Sequence, residues 1–388
     1  MKVKKILFWG FTLLLFFQST YLICNPKIID TSENDQEKKV IIRFKKSIKG
    51  YSLSNLFSNI EYIVLETKKN CLVGEISGIK ITEDKIYILD KYSAKGLLVF
   101  DRATGKYLFG IKATGSGPGE YDFPYDFTVN PVSGEINIIG TNKILFFNPE
   151  GKYIKEKRLD FYATNVKTDG QGLYVFVGSG NAPELIVTDE SFRRETTYFN
   201  KTDKSLRAFS ASFRLQYLGD KGIFYWRVFD NTLYKVNKNS INKFIKLRFP
   251  DANNIESIIQ TAMKNSGIRN STLDQILTKY GGVNVNGIFF GKDIALIGVY
   301  YQKTPYLSFV DLSTGKYKVL DYNSIDDDIS GNIDNIYIHT VTLNDEVVFS
   351  LQPFDISDHS NEELIRIGQT IEKDSNPIIM IGKLKKYE

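Results

Sequence analysis

One short turn occurs three times in the chain, as Gly105-Lys106-Tyr107, Gly151-Lys152-Tyr153 and Gly315-Lys316-Tyr317, each time just after a run of large apolar residues. Glycine supplies the backbone angles that a tight hairpin needs, so each occurrence marks a return between two strands. Tyr107 and Tyr153 are 46 positions apart (153 less 107). A period of about 40 to 50 residues is the spacing that signals propeller blades. Composition agrees, because 27 Phe and 23 Tyr suit pleated, half-buried surfaces.

Indexing outward from these turns gives six units. The first runs from Cys71 to about Lys112 through EISGIKI, KIYILD and GLLVFD. The second opens on the loop GSGPGEYDFP, Gly115 to Pro124, and continues through GEINIIG and KILFFN. Third, fourth and fifth units follow as GLYVFVG/ELIVTD, GIFYWRV/TLYKVN and DIALIGVYY/LSFVD. The sixth contains IYIHTVT, EVVFSLQ and IIMIGKL, after which the chain ends one strand short of a four-stranded blade. IEYIVLE, Ile60 to Glu66, has no local partner and is the natural donor of the missing strand, which would close the ring and remove an exposed edge. Phe244 and Tyr317 are 73 positions apart, 27 more than one period, and the surplus coincides with Asp251 to Tyr280, where Ile255, Ile258, Ile259, Ala262 and Met263 fall at helical spacing. A second helical insertion is predicted at Asp358 to Lys373, with Ser360 and Glu363 spaced as a capping box. The fold class expected is therefore all-β: a six-bladed propeller of four-stranded antiparallel blades, closed by an N-terminal strand, with two small helical insertions on one face.

The second unit, GSGPGEYDFP followed by two strands and a glycine turn, resembles the NHL/TolB-like repeat of six-bladed propellers. The chain as a whole is similar to the "6-bladed β-propeller" family of bacterial cell-envelope proteins. Such repeats often carry Asp at the end of the second strand; Asp90 in KIYILDKYS keeps it, whereas the second unit has Gly140.

The N-terminus carries Lys2, Lys4 and Lys5 and then an apolar run from Ile6 to Phe17, too short for a membrane span and the right size for a signal-peptide core. Residues 1–24 are read as a signal peptide, 25–52 as a tether and 53–388 as the propeller. This predicts an exported protein of the periplasm, outer membrane or cell surface. Cys24 stands where a lipoprotein cysteine would stand, although Tyr21 and Ile23 are bulky for a lipobox, so lipidation and plain cleavage both stay open. Cys71 is the other cysteine, and two cysteines make no disulfide framework. Setting the three N-terminal lysines aside leaves 47 basic against 45 acidic residues, no basis for nucleic-acid binding. A monomer is expected.

In a four-stranded meander, connections alternate between the two faces of the disc. The glycine-rich loop, the Asp251 insertion and the Asp358 insertion therefore share one face, and the Gly-Lys-Tyr turns lie on the other. Loops on a rigid scaffold are where binding sites are usually built. Residues that end second strands or open first strands on the elaborated face should rim the channel: Glu75, Asp90, Tyr92, Tyr125, Asp126, Arg227, Tyr300, Tyr301 and Phe354. For the tyrosines and Phe354 the plain reading is blade filling; for Asp90 and Asp126 it is turn capping or inter-blade bonding; for Arg227, flanked by bulky residues, it is a structural ion pair.

Two histidines, His339 and His359, exclude a histidine-rich metal site and leave few bases for a Ser/His/Asp triad. Asp326 to Asp328 reads as a solvated loop, and GSGPG lacks the Lys-Ser/Thr pair of a phosphate loop. The function expected is a binding module for a glycan, a peptide or an envelope protein through the helix-roofed face. The alternative, by resemblance to propeller lactonases, is a Ca²⁺-dependent lactonase or lyase using Glu75, Asp90 and Asp126.

Overall fold

The structure, a computed structural model, describes residues 27–28, 37–180, 182–193, 196–199, 215–227, 231–264 and 273–385. Six antiparallel four-stranded sheets form a ring. Blades 1 to 5 each use four consecutive strands, within 78–111, 126–158, 163–198, 215–248 and 284–321. Blade 6 takes Tyr337–Val341, Glu346–Leu351 and Ile378–Leu384 from the C-terminal region and its outer strand, Phe57–Val64, from the N-terminal region. That pairing is antiparallel, with Ile378 opposite Val64 and Gly382 opposite Ile60, so the displaced strand closes the ring as the sequence predicts.

The long apolar runs have a direct cause. Each blade is covered on both sides by a neighbour, so alternate side chains of one strand point into two different junctions, and both must be apolar. Six buried clusters result, one per junction. Leu97 and Val99 pack toward blade 2, for instance, while Leu98 and Phe100 pack toward blade 6. The first strands of neighbouring blades touch one another and form the channel wall.

Residues 25–52 were expected to be a tether, but from residue 38 they are packed on the ring. Lys38–Ile41 adds a fifth, parallel strand to the outer edge of blade 4, opposite Ile245 to Arg248, and Lys27–Ile28 pairs in the same sense with blade 3. Ile48 and Ser52 then bridge to Leu320 and Asp326 at blade 5, before the chain enters blade 6. The N-terminal segment is thus a belt that visits the outer edges of blades 3, 4, 5 and 6 in order. Val40, Ile42 and Phe44 are buried in the blade 4–5 junction, which fixes the belt by apolar burial as well as by pairing. Phe44 stacks on Tyr301 with ring centres 4.9 Å apart and on Phe249 at 5.7 Å.

The inserted helices are α1, Ile255–Lys264, α2, Leu273–Lys279, and α3, Glu362–Gly368. Ile255 and Ile258 of α1 and Ile276 and Leu277 of α2 enter the same blade 4–5 cluster as the belt, and Leu364 of α3 enters the blade 5–6 cluster. Asp251 ties insertion to belt, its Oδ2 accepting from the N–H of Phe44 at 2.7 Å. The expected Ser360 cap is displaced by one residue: Asn361 caps α3 through Leu364 N–H at 3.0 Å, and the Ser360 hydroxyl donates to Ser330 O at 2.9 Å instead. The run Asp326 to Asp328, expected to be solvated, is a set of fasteners. Asp326 and Asp328 bind Ser52 and Ser54 of the belt, and Asp327 caps its own turn through the N–H groups of Ile329 and Ser330.

Candidate functional site

The face carrying the two insertions and the glycine-rich loop is held at blades 1 and 2 by latches between the incoming loop and the turn after the second strand. Asp90 is the blade 1 latch and is fully buried. Its Oδ2 accepts from Gly74 N–H at 2.8 Å and Glu75 N–H at 3.2 Å, and its Oδ1 from Ser93 at 2.8 Å and Tyr92 at 3.1 Å. All its oxygens are occupied, so Asp90 shapes the rim without being available to a ligand. Blade 2 has Gly140 at the matching position, and the carboxylate has moved across the gap: Asp122 of the incoming loop accepts from the N–H and hydroxyl of Thr141. The glycine-rich loop is likewise internally braced. Gly117 N–H donates to Glu120 at 2.8 Å, Gly119 N–H to Glu156 at 3.0 Å, and a side chain at Gly115 would collide with the Glu120 carboxylate.

Several aromatic rings stand free on this face. Tyr92 is 58% exposed, its ring 5.8 Å from that of Phe123, which in turn meets Tyr125 edge-on at 4.9 Å. Phe354, 62% exposed, crowns the short turn Pro353–Asp355. Tyr162 and Tyr337, in the loop leading into blade 3 and at the start of blade 6, are also exposed. The sequence reading did not single out Phe123, Tyr162 or Tyr337; their positions directly before or at first strands were the available signal. Tyr301 belongs elsewhere, since its hydroxyl donates to Asp251 O and its ring stacks on Phe44, and Tyr300 beside it pairs with Asn284 and Pro305.

Below the mouth, the charge on the described first strands lies on one side of the wall. The described first strands of blades 4, 5 and 6, Leu215–Tyr217, Asn284–Phe290 and Tyr337–Val341, contain no Asp, Glu, Lys or Arg. Those of blades 1, 2 and 3 contribute Lys80, Asp126 and Lys167. Asp126 Oδ2 lies 3.1 Å from Lys167 Nζ and accepts from Val166 N–H at 3.0 Å, an inter-blade bond of the kind the sequence suggests. Lys80 Nζ crosses to Val129 O at 2.9 Å, and burial, with Lys167 nearby, pushes its pKa down to about 8. Lys91 is also held below the ordinary lysine value by burial; Asp126 and Glu75 draw it up and Lys167 draws it down. Glu75 is exposed and accepts from the Ser77 hydroxyl at 3.1 Å.

Arg227 ends the second strand of blade 4 and meets the buried Glu184 of blade 3, Nε to Oε1 3.4 Å, with its guanidinium 4.4 Å from the Phe199 ring centre. Glu184 also accepts from the Tyr225 hydroxyl. Arg227 is therefore bound in a structural ion pair. His339 bonds Ser350 through Nε2 at 2.8 Å, and loss of water lowers its pKa to about 4, so it is neutral at pH 7. His359 is exposed. Cys71 is buried and free, its thiol pushed up by burial; Cys24 lies outside the described residues. Glu75, Asp90 and Asp126 do not converge on a cation position, and among the described residues no three of His, Cys, Asp and Glu gather as a metal ion requires.

A six-bladed ring with this strand order over 39–383 coincides with the span matched by the family model of DUF4934, a domain of unknown function. The chain belongs to that family. No curated protein matches it in sequence. Among solved structures, it is similar to a protein of Bacteroides fragilis provisionally described as exported, with a TM-score of 0.74 at 19% identity over 90% of this chain and 100% of that one. A DUF4221 member from Bacteroides vulgatus superposes at a TM-score of 0.49, with 9% identity over 86% of this chain and 100% of that one. For the DUF4934 chain the likeness to the B. fragilis protein is one of fold.

Proposed function

We propose that this DUF4934 propeller is an exported binding module that holds a glycan chain across the channel mouth on the side of blades 1 to 3. The observation that carries the reading is the free Tyr92 ring, set against Phe123 and Tyr125 beside a polar, charged wall. Exposed aromatic rings offer flat apolar surface to the C–H faces of sugars, and the latches below hold the rim rigid, which lowers the ordering cost of binding. Export is supported by the basic and apolar N-terminal segment and by the description of the B. fragilis relative. The module acts as a binder; its buried carboxylates Asp90, Asp327 and Glu184 are committed to backbone, serine, tyrosine and arginine partners.

The test is a glycan array followed by calorimetry on the wild type and on Tyr92→Ala. Loss of the ring should weaken the best array ligand by about three- to ten-fold, equivalent to about 0.5–1.5 kcal/mol, with an unchanged melting temperature. Binding of peptides but of no glycan, or full affinity in Tyr92→Ala, would overturn the reading. Palmitate labelling tests the N-terminus separately: label in the wild type and none in Cys24→Ser would establish a lipid anchor.

A further inference from the structure

The belt has two unlike sides. From Lys38 to Lys49 it carries six basic residues and no acidic one. Alternation along the segment turns Val40, Ile42 and Phe44 inward, where they are buried in the blade 4–5 junction. The outward side is basic. Lys39, Arg43, Lys45, Lys46 and Lys49 are exposed, with Ile41 and Ile48 exposed between them, and Arg248, opposite Ile41 in the neighbouring strand, extends the patch onto blade 4. Lys38 alone is used by the fold, its Nζ donating to the carbonyls of Leu312 and Ser313.

The fold does not use these charges. None of the five exposed belt bases, nor Arg248, forms an ion pair or a side-chain hydrogen bond among the described residues. Asp251, which accepts from the N–H groups of Phe44 and Lys45, offsets at most one charge of the six. Lysines on a sheet edge commonly serve to stop it pairing with another chain. That duty covers Lys39 in the strand Lys38–Ile41. Arg43, Lys45, Lys46 and Lys49 lie beyond the strand, in and around the short helical turn Phe44–Lys46, where there is no ladder to protect. The outer strand of blade 2, Tyr153–Arg158, shows the mixed alternative, with Glu156 among its bases. A run of unpaired cations with apolar side chains between them, on a convex rim, suits a broad anionic surface better than a shaped ligand.

We propose that the belt is a membrane-docking surface. Its exposed bases receive the phosphates of anionic phospholipid headgroups, and Ile41 and Ile48 enter the boundary between headgroups and acyl chains. The place of the segment in the chain favours a bilayer over another polyanion. It follows on the basic and apolar N-terminal run that reads as an export segment, and residues 25–37 are all that separate it from Cys24. Docking here also sets which way the propeller faces. In a ring of six blades the 4–5 junction lies opposite the 1–2 junction, where Tyr92 and Phe123 stand, so the aromatic rim is turned away from the bilayer.

The experiment uses the full chain with Cys24→Ser, so that no lipid is attached, and vesicles of phosphatidylcholine alone or of equal parts phosphatidylcholine and phosphatidylglycerol. The readout is the excess of co-sedimentation with the mixed vesicles, because an apolar N-terminal run binds both kinds alike. That excess should appear at low salt and disappear at high salt. Affinity for the mixed vesicles should fall about five-fold for each base removed, hence by more than about a hundred-fold when Lys39→Gln, Arg43→Gln, Lys45→Gln and Lys46→Gln are combined. Ile41→Ser should weaken it by a smaller factor. The substituted side chains are exposed, so the melting temperature should not change; if the fourfold variant does melt lower, Lys46→Glu with Lys49→Glu, both outside the strand, should still abolish the excess. Glycan affinity should be intact in the fourfold variant and the lipid excess intact in Tyr92→Ala, so each surface can fail without the other. No excess in the parent chain, or an equal excess in the parent and the charge variants, would overturn the assignment. Tighter binding to soluble polyglutamate than to the mixed vesicles would overturn it too, by replacing the bilayer with an acidic polymer.

Discussion

Blades 1 to 3 and blades 4 to 6 are built from the same four-stranded unit, yet they are secured by different means. In the first half, single carboxylates reach across to backbone N–H groups, as Asp90 and Asp122 do, and no helix is inserted among the described residues. In the second half, the belt and the helices α1 to α3 are packed against the blades from outside, and the clusters at the 4–5 and 5–6 junctions have the most buried members of the six among the described residues. The channel wall follows the same division, charged along blades 1 to 3 and neutral along the described strands of blades 4 to 6. The elaborate half carries the apolar bulk, and the plain half carries the charged wall, while exposed rings stand on both, Tyr92 and Tyr162 on one and Tyr337 and Phe354 on the other. Insertions on a scaffold are thus no guide by themselves to where its chemistry lies.

The comparison can be broken most severely on the belt side. Phe44→Ala removes a buried ring stacked between Tyr301 and Phe249, and should cost about 3–5 kcal/mol in urea unfolding without changing ligand affinity. An equal loss of binding would show that the two halves are not separable. Asp90→Ala comes next: four backbone donors lose their acceptor inside the protein, for a loss of about 2–4 kcal/mol and a disturbed Tyr92 rim. Its counterpart Asp122→Ala, at an exposed latch, should cost about 1 kcal/mol or less, so near-equal values for the two would refute the difference in burial between them.

Lys80→Met has the opposite sign. The folded-state pKa of Lys80 is lowered to about 8, so between that value and the ordinary 10.5 the unfolded chain binds more protons than the folded one. Stability contributed by this residue therefore rises with pH across that window, and below it the charged lysine is a burden. Met at this position should stabilise the protein at pH 7 by about 1–3 kcal/mol, and the gain should fade as pH passes from 8 toward 10.5. A gain that is independent of pH would mean that packing, not charge, is responsible.

The blades were legible because every junction demands apolar residues on both sides of a strand, which leaves runs such as GLLVF in plain view. Ring closure was legible because IEYIVLE had no neighbour to pair with. The belt was not, although VIIRF carries the alternation of a strand: its partner, blade 4, lies some two hundred residues away, and a short charged stretch looks the same free or packed. For Asp90 the sequence offers both a rim position and turn capping, and the structure shows the capping bonds; the transfer of that duty to Asp122 is not visible, since Gly140 announces a missing carboxylate and not its replacement. Arg227 was legible as half of an ion pair, with Glu184 unidentifiable as the other half. Lys80 escaped notice because alternation fixes that it faces one neighbouring blade and says nothing of which charges it will meet there.

The belt also has a bearing on how the chain folds during its synthesis. Residues 38–64 pair with strands that end at Arg248, Asp321 and Leu384, so the first part of the domain to be made is the last to find its partners. Blades 1 to 3 can assemble from local hairpins as they emerge, while the belt must wait, unpaired, for nearly the whole polypeptide. Circularity therefore comes late and all at once, and a chain cut short before residue 378 would leave the outer strand of blade 6 with no edge to join.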